Sequence, residues 1–533
     1  MFLKEKLYSK KFISFLIFFL ALFFNQYFGN KGVFPLDSFS HFDIGYRVLN
    51  GELPFKDYWV VSGPLIDFLQ AFLFFIFGVN WQSYLLNASI LNGVFAVLTY
   101  KLFLELELDK KSSFFYTICV AILAYPSSGT PFVDHHSTFF SIISIYLLVF
   151  AIKKDEFVYW FLVPFLLCFA FLSKQVPATY IFFSVIFLII YNFTFRDVRK
   201  ITNKNIFFTL LLSSVTIFLL LLLFFYATGV SVHSFIDQYI NYPREIGQNR
   251  YLKLNYDLKK TILDFKFIHL IFFTLILLNF NNLIKEKNYF KKINFKLFLI
   301  SFLLLVSLIQ HQIVTKNQIF IFFLIPLFSA FVQIELNKYS DKYKKYLILL
   351  LLTTCLLTTL KYHKRFNLER KFHELNNVNF SNSVEATILS NSFKGLKWIT
   401  PNKNSKKATI DEINSIKKNI NVLKNDSSNK MLITNYSFFS VLLKKTSNSP
   451  TRWFPGDDSA FPQKDSKLFI VYKNFLLKKI QDKNISNIYI INDVSEENLL
   501  NYLLPDCINK TKVNEYMYKY TINKNCFDLY GKQ

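Results

Sequence analysis

Residues 205–228 read NIFFTLLLSSVTIFLLLLLFFYAT, a run without a single charged side chain. A bilayer hydrocarbon core of about 30 Å takes about 20 such residues as a helix. This block is therefore long enough to span, and it sets the scale for the rest of the chain. Similar blocks recur at about 12–28, 81–104, 112–126, 137–152, 157–173 and 177–194, then at 263–283, 295–311, 317–335 and 346–360. With 205–228 this makes eleven expected transmembrane helices. Pro164, Pro177 and Pro326 interrupt some of them, which membrane helices tolerate because neighbours satisfy the freed carbonyl. No cleavage site follows the first block, so it is read as a retained helix. The composition agrees: of 533 residues 52% are apolar, 66 are Phe, and 18% are charged, against about 25% charged in an ordinary soluble protein. Collagen-like, disulfide-scaffold and disordered classes are excluded.

The net charge of +25 acquires a meaning once its residues are located. Lys4, Lys6, Lys10 and Lys11 precede the first block, and alternate loops carry Lys110-Lys111, Lys153-Lys154, Arg196 to Lys204, Lys285 to Lys296 and Lys338 to Lys345. With Lys101, these inner segments hold 22 basic residues and the longer outer loops hold 11. The positive-inside rule then places the N-terminus in the cytoplasm of a bacterial-type inner membrane. Leu65–Phe77 is apolar but too short for a span; it is expected to lie on or partly in the outer face, since a full span would invert every later loop.

After residue 360 the long apolar runs end and Asn, Ser and Lys rise. The expected division is a transmembrane domain, 1–360, and a soluble α/β domain, 361–533, on the outer face. Met431–Thr434 and Asn487–Ile491 read as buried strands, Ile410–Leu423 and Ser437–Lys444 as helices. Cys507 and Cys526 can form a disulfide in an oxidising compartment. Nucleic-acid binding is excluded as a reading: it needs a basic face with base-reading or stacking elements, and here most of the loop charge is topological.

The outer loops carry the unusual polar residues. The first, about 29–80, contains Asp37, His41, Asp43, Arg47, Asp57 and Asp67. The second reads YPSSGTPFVDHHS, with Asp134, His135 and His136. Lys174 lies in a third outer turn, Arg244 and Arg250 in the loop 229–262, and His311 and Lys316 in HQIVTKNQ. Ionisable groups near membrane helix ends are functional candidates, because burying them is expensive. Carboxylates can act as general base toward a sugar hydroxyl, and Arg or Lys can stabilise charge on a departing phosphate. Asp134 with a neighbouring His could hold a divalent metal. His135 and His136 point different ways, however, and no third spaced ligand accompanies them, so no metal ligands are assigned. Asp134 and either His could instead orient substrate hydroxyls. FPGDDS, with Asp457 and Asp458, reads as a solvated turn.

The first loop resembles that of the GT-C membrane glycosyltransferases, the superfamily of protein O-mannosyltransferases and lipid A aminoarabinose transferases. There an Asp in the first outer loop is followed by a Gly about 14–15 residues later, an aromatic-Pro segment and a short helix ending in Phe-Gly. Here Asp37 is followed by Gly51, then Pro54-Phe55, Asp57-Tyr58-Trp59, Gly63-Pro64 and Phe77-Gly78. The acidic pair common in the superfamily is absent, since Ser38 follows Asp37, which leaves Asp43 as a rival catalytic carboxylate. Asp134 stands where many members carry an acid, and Lys174 sits in a turn similar to a Lys-containing one in several members. The resemblance covers about residues 1–200 in motifs and the rest in architecture. It implies a polyprenyl-phosphate-linked sugar donor and a lipid, glycan or protein acceptor of the envelope. It further implies that Asp37 or Asp43 activates the acceptor, and that His41, Asp134, His135, His136, Lys174, Arg244 and Arg250 bind substrate. A single carboxylate at the anomeric carbon suits an inverting displacement. Three rival readings are set against this one. A transporter or flippase would place polar residues at the midplane, often within repeats, and no repeat is visible. A polymerase or ligase of lipid-linked glycans would show a larger Arg-rich outer loop. A scaffold would not need so crowded a first loop.

Overall fold

The computed structural model describes residues 10–196, 200–315, 320–339, 343–457, 459–492 and 494–523. Each of the eleven blocks contains a helix: Lys10–Gly29, Trp81–Glu105, Lys110–Leu123, Val133–Lys154, Phe157–Ser173, Gln175–Thr194, Asn203–Thr228, Lys266–Lys285, Ile293–Thr315, Leu324–Leu336 and Lys344–Tyr362. Among the described residues eight helices are long and apolar enough to cross a membrane. The other three blocks form shorter helices. Lys110–Leu123, Phe157–Ser173 and Leu324–Leu336 have only 14, 17 and 13 residues, about 20–25 Å at 1.5 Å per residue. Polar caps define many starts: Asn80 accepts from Ser83 N–H, Asp109 from Lys111 and Ser112 N–H, and Thr202 from Asn205 N–H, satisfying donors that the first turn leaves free.

Exposure follows position in the bundle. Val133–Lys154 is buried along almost its whole length, whereas Asn203–Thr228 leaves Phe218, Leu219 and Leu223 at 58–60% exposure. A fully apolar helix with bare side chains faces lipid; a buried one is the hub around which the others pack. The short apolar segment of the first loop forms a helix, Pro64–Phe77. It turns Phe72 and Phe75 outward and buries Asp67 and Gln70.

After the last long helix the chain forms a short antiparallel pair, β1 (Val384–Glu385) and β2 (Lys397–Trp398), and a four-stranded sheet in the order β3 (Lys430–Thr434), β4 (Asn487–Ile491), β6 (Met517–Ile522), β5 (Ile508–Asn514). β3 and β4 are parallel, with Lys430 opposite Asn487 and Thr434 opposite Ile491; the other two pairs are antiparallel. A parallel pair needs a crossover, and the helix Phe469–Asp482 lies within it. Side chains alternate faces. Leu432, Tyr489 and Ile491 pack with Ile413, Ile416 and Leu423 of the helix Lys406–Asn425. Met431, Ile433, Ile488 and Ile490 pack with Tyr472, Leu476 and Ile480 of the crossover helix. The two expected strands and the helix at 410–423 are thus present, and 437–444 contains the short helix Phe439–Leu443. Cys526 and Asp458 lie outside the described residues, as do Lys4, Lys6 and Lys316, so the proposed disulfide and part of the acidic turn fall outside them too.

The C-terminal segment does not hang from the bundle on a linker. Phe39 of the first loop lies 4.9 Å from Phe438, 5.7 Å from Trp398 and 5.3 Å from Trp81, centroid to centroid. Trp59 meets Tyr472 at 5.3 Å. The first loop is therefore the middle layer between the membrane helices and the sheet, and its backbone is clamped from both sides.

Candidate active site

Asp37 sits in a one-turn helix, Pro35–Ser38, opened by a proline whose fixed φ suits the first helical position. The Ser38 hydroxyl accepts from Phe34 N–H at 2.8 Å and meets His373 Nδ1 at 3.0 Å, which fixes the turn. The Asp37 side chain is only half-buried, and no described residue donates a hydrogen bond to it. Burial and the neighbouring carboxylates of Asp134 and Glu374 push its carboxyl up to about 7, against the pull of Lys174.

Asp134 opens the helix Val133–Lys154 and is almost fully buried. Lys174 Nζ donates to both of its oxygens at 2.8 Å, and His311 Nε2 lies 2.6 Å from Oδ1. Lys174 occupies the single extended residue between the helices Phe157–Ser173 and Gln175–Thr194. Ser137 donates to its carbonyl, while Gln175 donates to the carbonyls of Val61 and Tyr239. Five segments at this end of the bundle are thus tied together at one point. A cavity of about 550 Å³ is lined by Arg250, Lys253, Lys260, Gln312 and Thr315. Arg244 is exposed on the same helix, and no described contact joins it to this cluster.

Glycine makes the approach of the end of Lys10–Gly29 to the turn before Val133–Lys154 possible. A Cβ on Gly129 would stand 2.5 Å from Gly29 Cα, and its φ of +75° is one that side chains disfavour. Across this contact Asn25 Nδ2 donates to Gly129 O, and Arg370 donates to the carbonyls of Pro126, Ser128 and Lys31. This contact packs the end of the helix that leads to Asp37 against the turn that leads to Asp134.

The remaining candidates lie in other environments. Asp43 is buried and faces the sheet domain, accepting from Ser440 N–H at 2.8 Å and Ser440 Oγ at 2.6 Å. Burial raises its carboxyl above the usual range while the Ser440 bonds oppose this. His41 Nδ1 lies 2.7 Å from Asp67 Oδ1, whose other oxygen accepts from Arg452 at 2.7 Å and Tyr58 at 3.1 Å. Burial, with Arg452 adding to it, holds His41 down at about 4, so the ring is neutral at pH 7. Its buried Nε2 has no partner among the described residues. His136 contacts the Tyr125 hydroxyl and Asn87 Oδ1, whereas His135 Nε2 meets Ser127 Oγ at 3.0 Å. Among the described residues no three His, Cys, Asp or Glu side chains group as metal ligands. Asp134 meets a cation already, as Lys174.

Sequence reading missed the partners that come from far along the chain. Asp67 is paired with Arg452 and Ser38 with His373, and neither spacing carries a local signal. Arg47, buried and bonded to Glu52 and to Ser449 O, is a third such link. If Asp43 is an anchor, Asp43→Ala is expected to strand the Ser440 donors and cost about 1–3 kcal/mol. Thermal unfolding of the detergent-solubilised protein reads this out. Unchanged unfolding would remove the anchor role.

No curated protein matches the chain. Residues 61–225, which carry Asp67, Asp134 and Lys174, are similar to the family described as dolichyl-phosphate-mannose-protein mannosyltransferase, and the apolar helices make the chain a multi-pass membrane protein.

Proposed function

We propose that the protein transfers a sugar from a polyprenyl-phosphate donor to a hydroxyl of an envelope lipid, glycan or protein, on the outer face of the cytoplasmic membrane. The observation that carries this reading is the Asp37 carboxylate: half-open, without a hydrogen-bond donor, and beside the Asp134–Lys174–His311 cluster. A general base must reach its substrate and have a proton affinity near working pH. Asp37 meets both conditions, whereas Asp43 is spent on Ser440. In the step proposed, Asp37 takes the proton of the acceptor hydroxyl. The acceptor oxygen bonds to the anomeric carbon as the bond from that carbon to the phosphate oxygen breaks, and polyprenyl phosphate leaves. Arg250 and Lys174 face the charge that gathers on the phosphate. Asp134 holds Lys174 in place, and the free Nε2 of neutral His41 is an acceptor for a sugar hydroxyl. Arg244 would meet a phosphate only if the donor extends over the exposed face of its helix.

The prenyl chain needs an apolar berth. A groove of about 280 Å³ between the helices Pro64–Phe77, Phe157–Ser173 and Asn203–Thr228 offers one, lined by Phe68, Phe169, Leu172 and Phe224 among others. The N-terminus then lies in the cytoplasm and the sheet domain outside.

The pH profile tests the base directly. A base with a carboxyl near 7 is protonated and inactive below that pH and competent above it. Transfer in proteoliposomes supplied with lipid-linked sugar is expected to rise about tenfold per pH unit well below 7 and to level off above it. A rate independent of pH between 5 and 8 would remove Asp37 from this role.

A further inference from the structure

The end of the bundle opposite Asp37 holds a second polar cavity. It measures about 550 Å³ and is lined by Lys10, Lys11, Lys101, Lys154, Glu105 and Tyr159, over an apolar floor that includes Leu98 and Leu147. Lys10 begins the helix whose far end leads to the Asp37 loop. At 1.5 Å per residue the two sites are about 30 Å apart, so this cavity is not part of the transfer site.

Its charge is unbalanced. Four lysines and one glutamate leave +3 (4 − 1) on the lining. Glu105 is taken by Lys154, whose Nζ lies 3.6 Å away and 3.4 Å from the Tyr159 hydroxyl. Among the described residues no carboxylate pairs with Lys10, Lys11 or Lys101. Like charges gathered at one opening repel, and an anion relieves that cost. The surroundings restrict which anion. The lysines lie at or near the ends of Lys10–Gly29, Trp81–Glu105 and Val133–Lys154, the depth of lipid headgroups. Beside them Phe12, Phe15, Phe157 and Val158 stand 40–62% exposed, where acyl chains run. A cationic pocket with an apolar apron fits an amphiphile whose charged end is an anionic phosphate.

We propose that this cavity binds the headgroup of an anionic glycerophospholipid of the surrounding bilayer, with Lys10, Lys11 and Lys101 on its phosphate. The volume is within the usual range for small-molecule pockets, about 300–1,000 Å³, and basic pockets between membrane helices recognise such headgroups.

The test is native mass spectrometry of the full-length protein in detergent, titrated with phosphatidylglycerol or phosphatidylcholine. Phosphatidylglycerol is expected to bind the parent more tightly. Lys10→Gln with Lys11→Gln and Lys101→Gln is expected to weaken it about hundredfold, and Lys101→Gln alone about fivefold, with phosphatidylcholine unchanged. Lys285→Gln with Lys287→Gln and Lys291→Gln removes equal charge from the same end of the bundle outside the cavity and is expected to change nothing. The proposal is overturned by equal loss in both triple variants, or by no headgroup preference in the parent. It is also overturned if a polyprenyl monophosphate binds the cavity in preference to phosphatidylglycerol, which would make it a donor site. Should the triple variant not fold, retention of full phosphatidylglycerol affinity in Lys101→Gln overturns it alone.

Discussion

Asp37→Asn is expected to lower sugar transfer by about 10²–10⁴-fold, the contribution of a positioned general base. The amide matches the carboxylate in shape but cannot take a proton. The folded protein should not suffer. The carboxylate accepts no hydrogen bond from a described residue and lies near Asp134 and Glu374, which oppose its charge. A neutral amide removes that repulsion, so the melting temperature is expected to stay or rise. Donor binding should persist, since the cationic residues remain. Loss of rate with intact folding and donor affinity is the signature of a base. Transfer at full rate in Asp37→Asn would return the question to Asp43.

The second large effect falls on stability. Asp67→Ala is expected to destabilise the protein by about 3–5 kcal/mol, because it leaves Arg452 as an unpaired charge in a buried place. The Asp67 side chain is fully buried and that of Arg452 is 6% exposed. The same substitution removes the acceptor of His41 and Tyr58. A lower melting temperature in detergent is the measurement. The double variant Asp67→Ala with Arg452→Met separates causes: it removes the stranded charge and should recover much of the loss, as replaced buried pairs often do. A double variant no better than Asp67→Ala would show that Arg452 is not what the carboxylate holds.

The bundle was largely legible before the structure because membrane helices are written in hydropathy alone. The same property does not mark where a helix starts. The run 320–331, FIFFLIPLFSAF, is apolar but for Ser329 and buried, yet the helix begins only at Leu324. Hydropathy cannot separate a spanning helix from an apolar turn packed inside protein. In the C-terminal segment, β3 and β4 were legible as apolar runs; the hairpin of β5 and β6 was not, because Asn509, Lys510 and Lys512 face solvent on an edge strand.

The candidate site was legible to the depth of single loops. Asp37, Asp134 and Lys174 each stand at a helix end on one expected face, so alternation of helix direction is enough to assemble them. His41 and Asp43 stand only a few residues from Asp37 but are turned to other partners. Nothing local separates them, since the difference lies in Arg452 and Ser440, hundreds of residues later.

That distance orders events during synthesis. Asp67 and Arg452 are separated by 385 positions. At about 5–20 residues per second, a ribosome needs about 20–80 s to travel between them. Throughout that interval the nascent chain can hold its first helices in the bilayer while the loop bearing Asp37 lacks its sheet-side clamp. The loop is made early and finished late. A chain that stops before the sheet would be inserted without the clamp on its first loop, so the proposed catalytic carboxylate is held in place only in a molecule already built to Arg452.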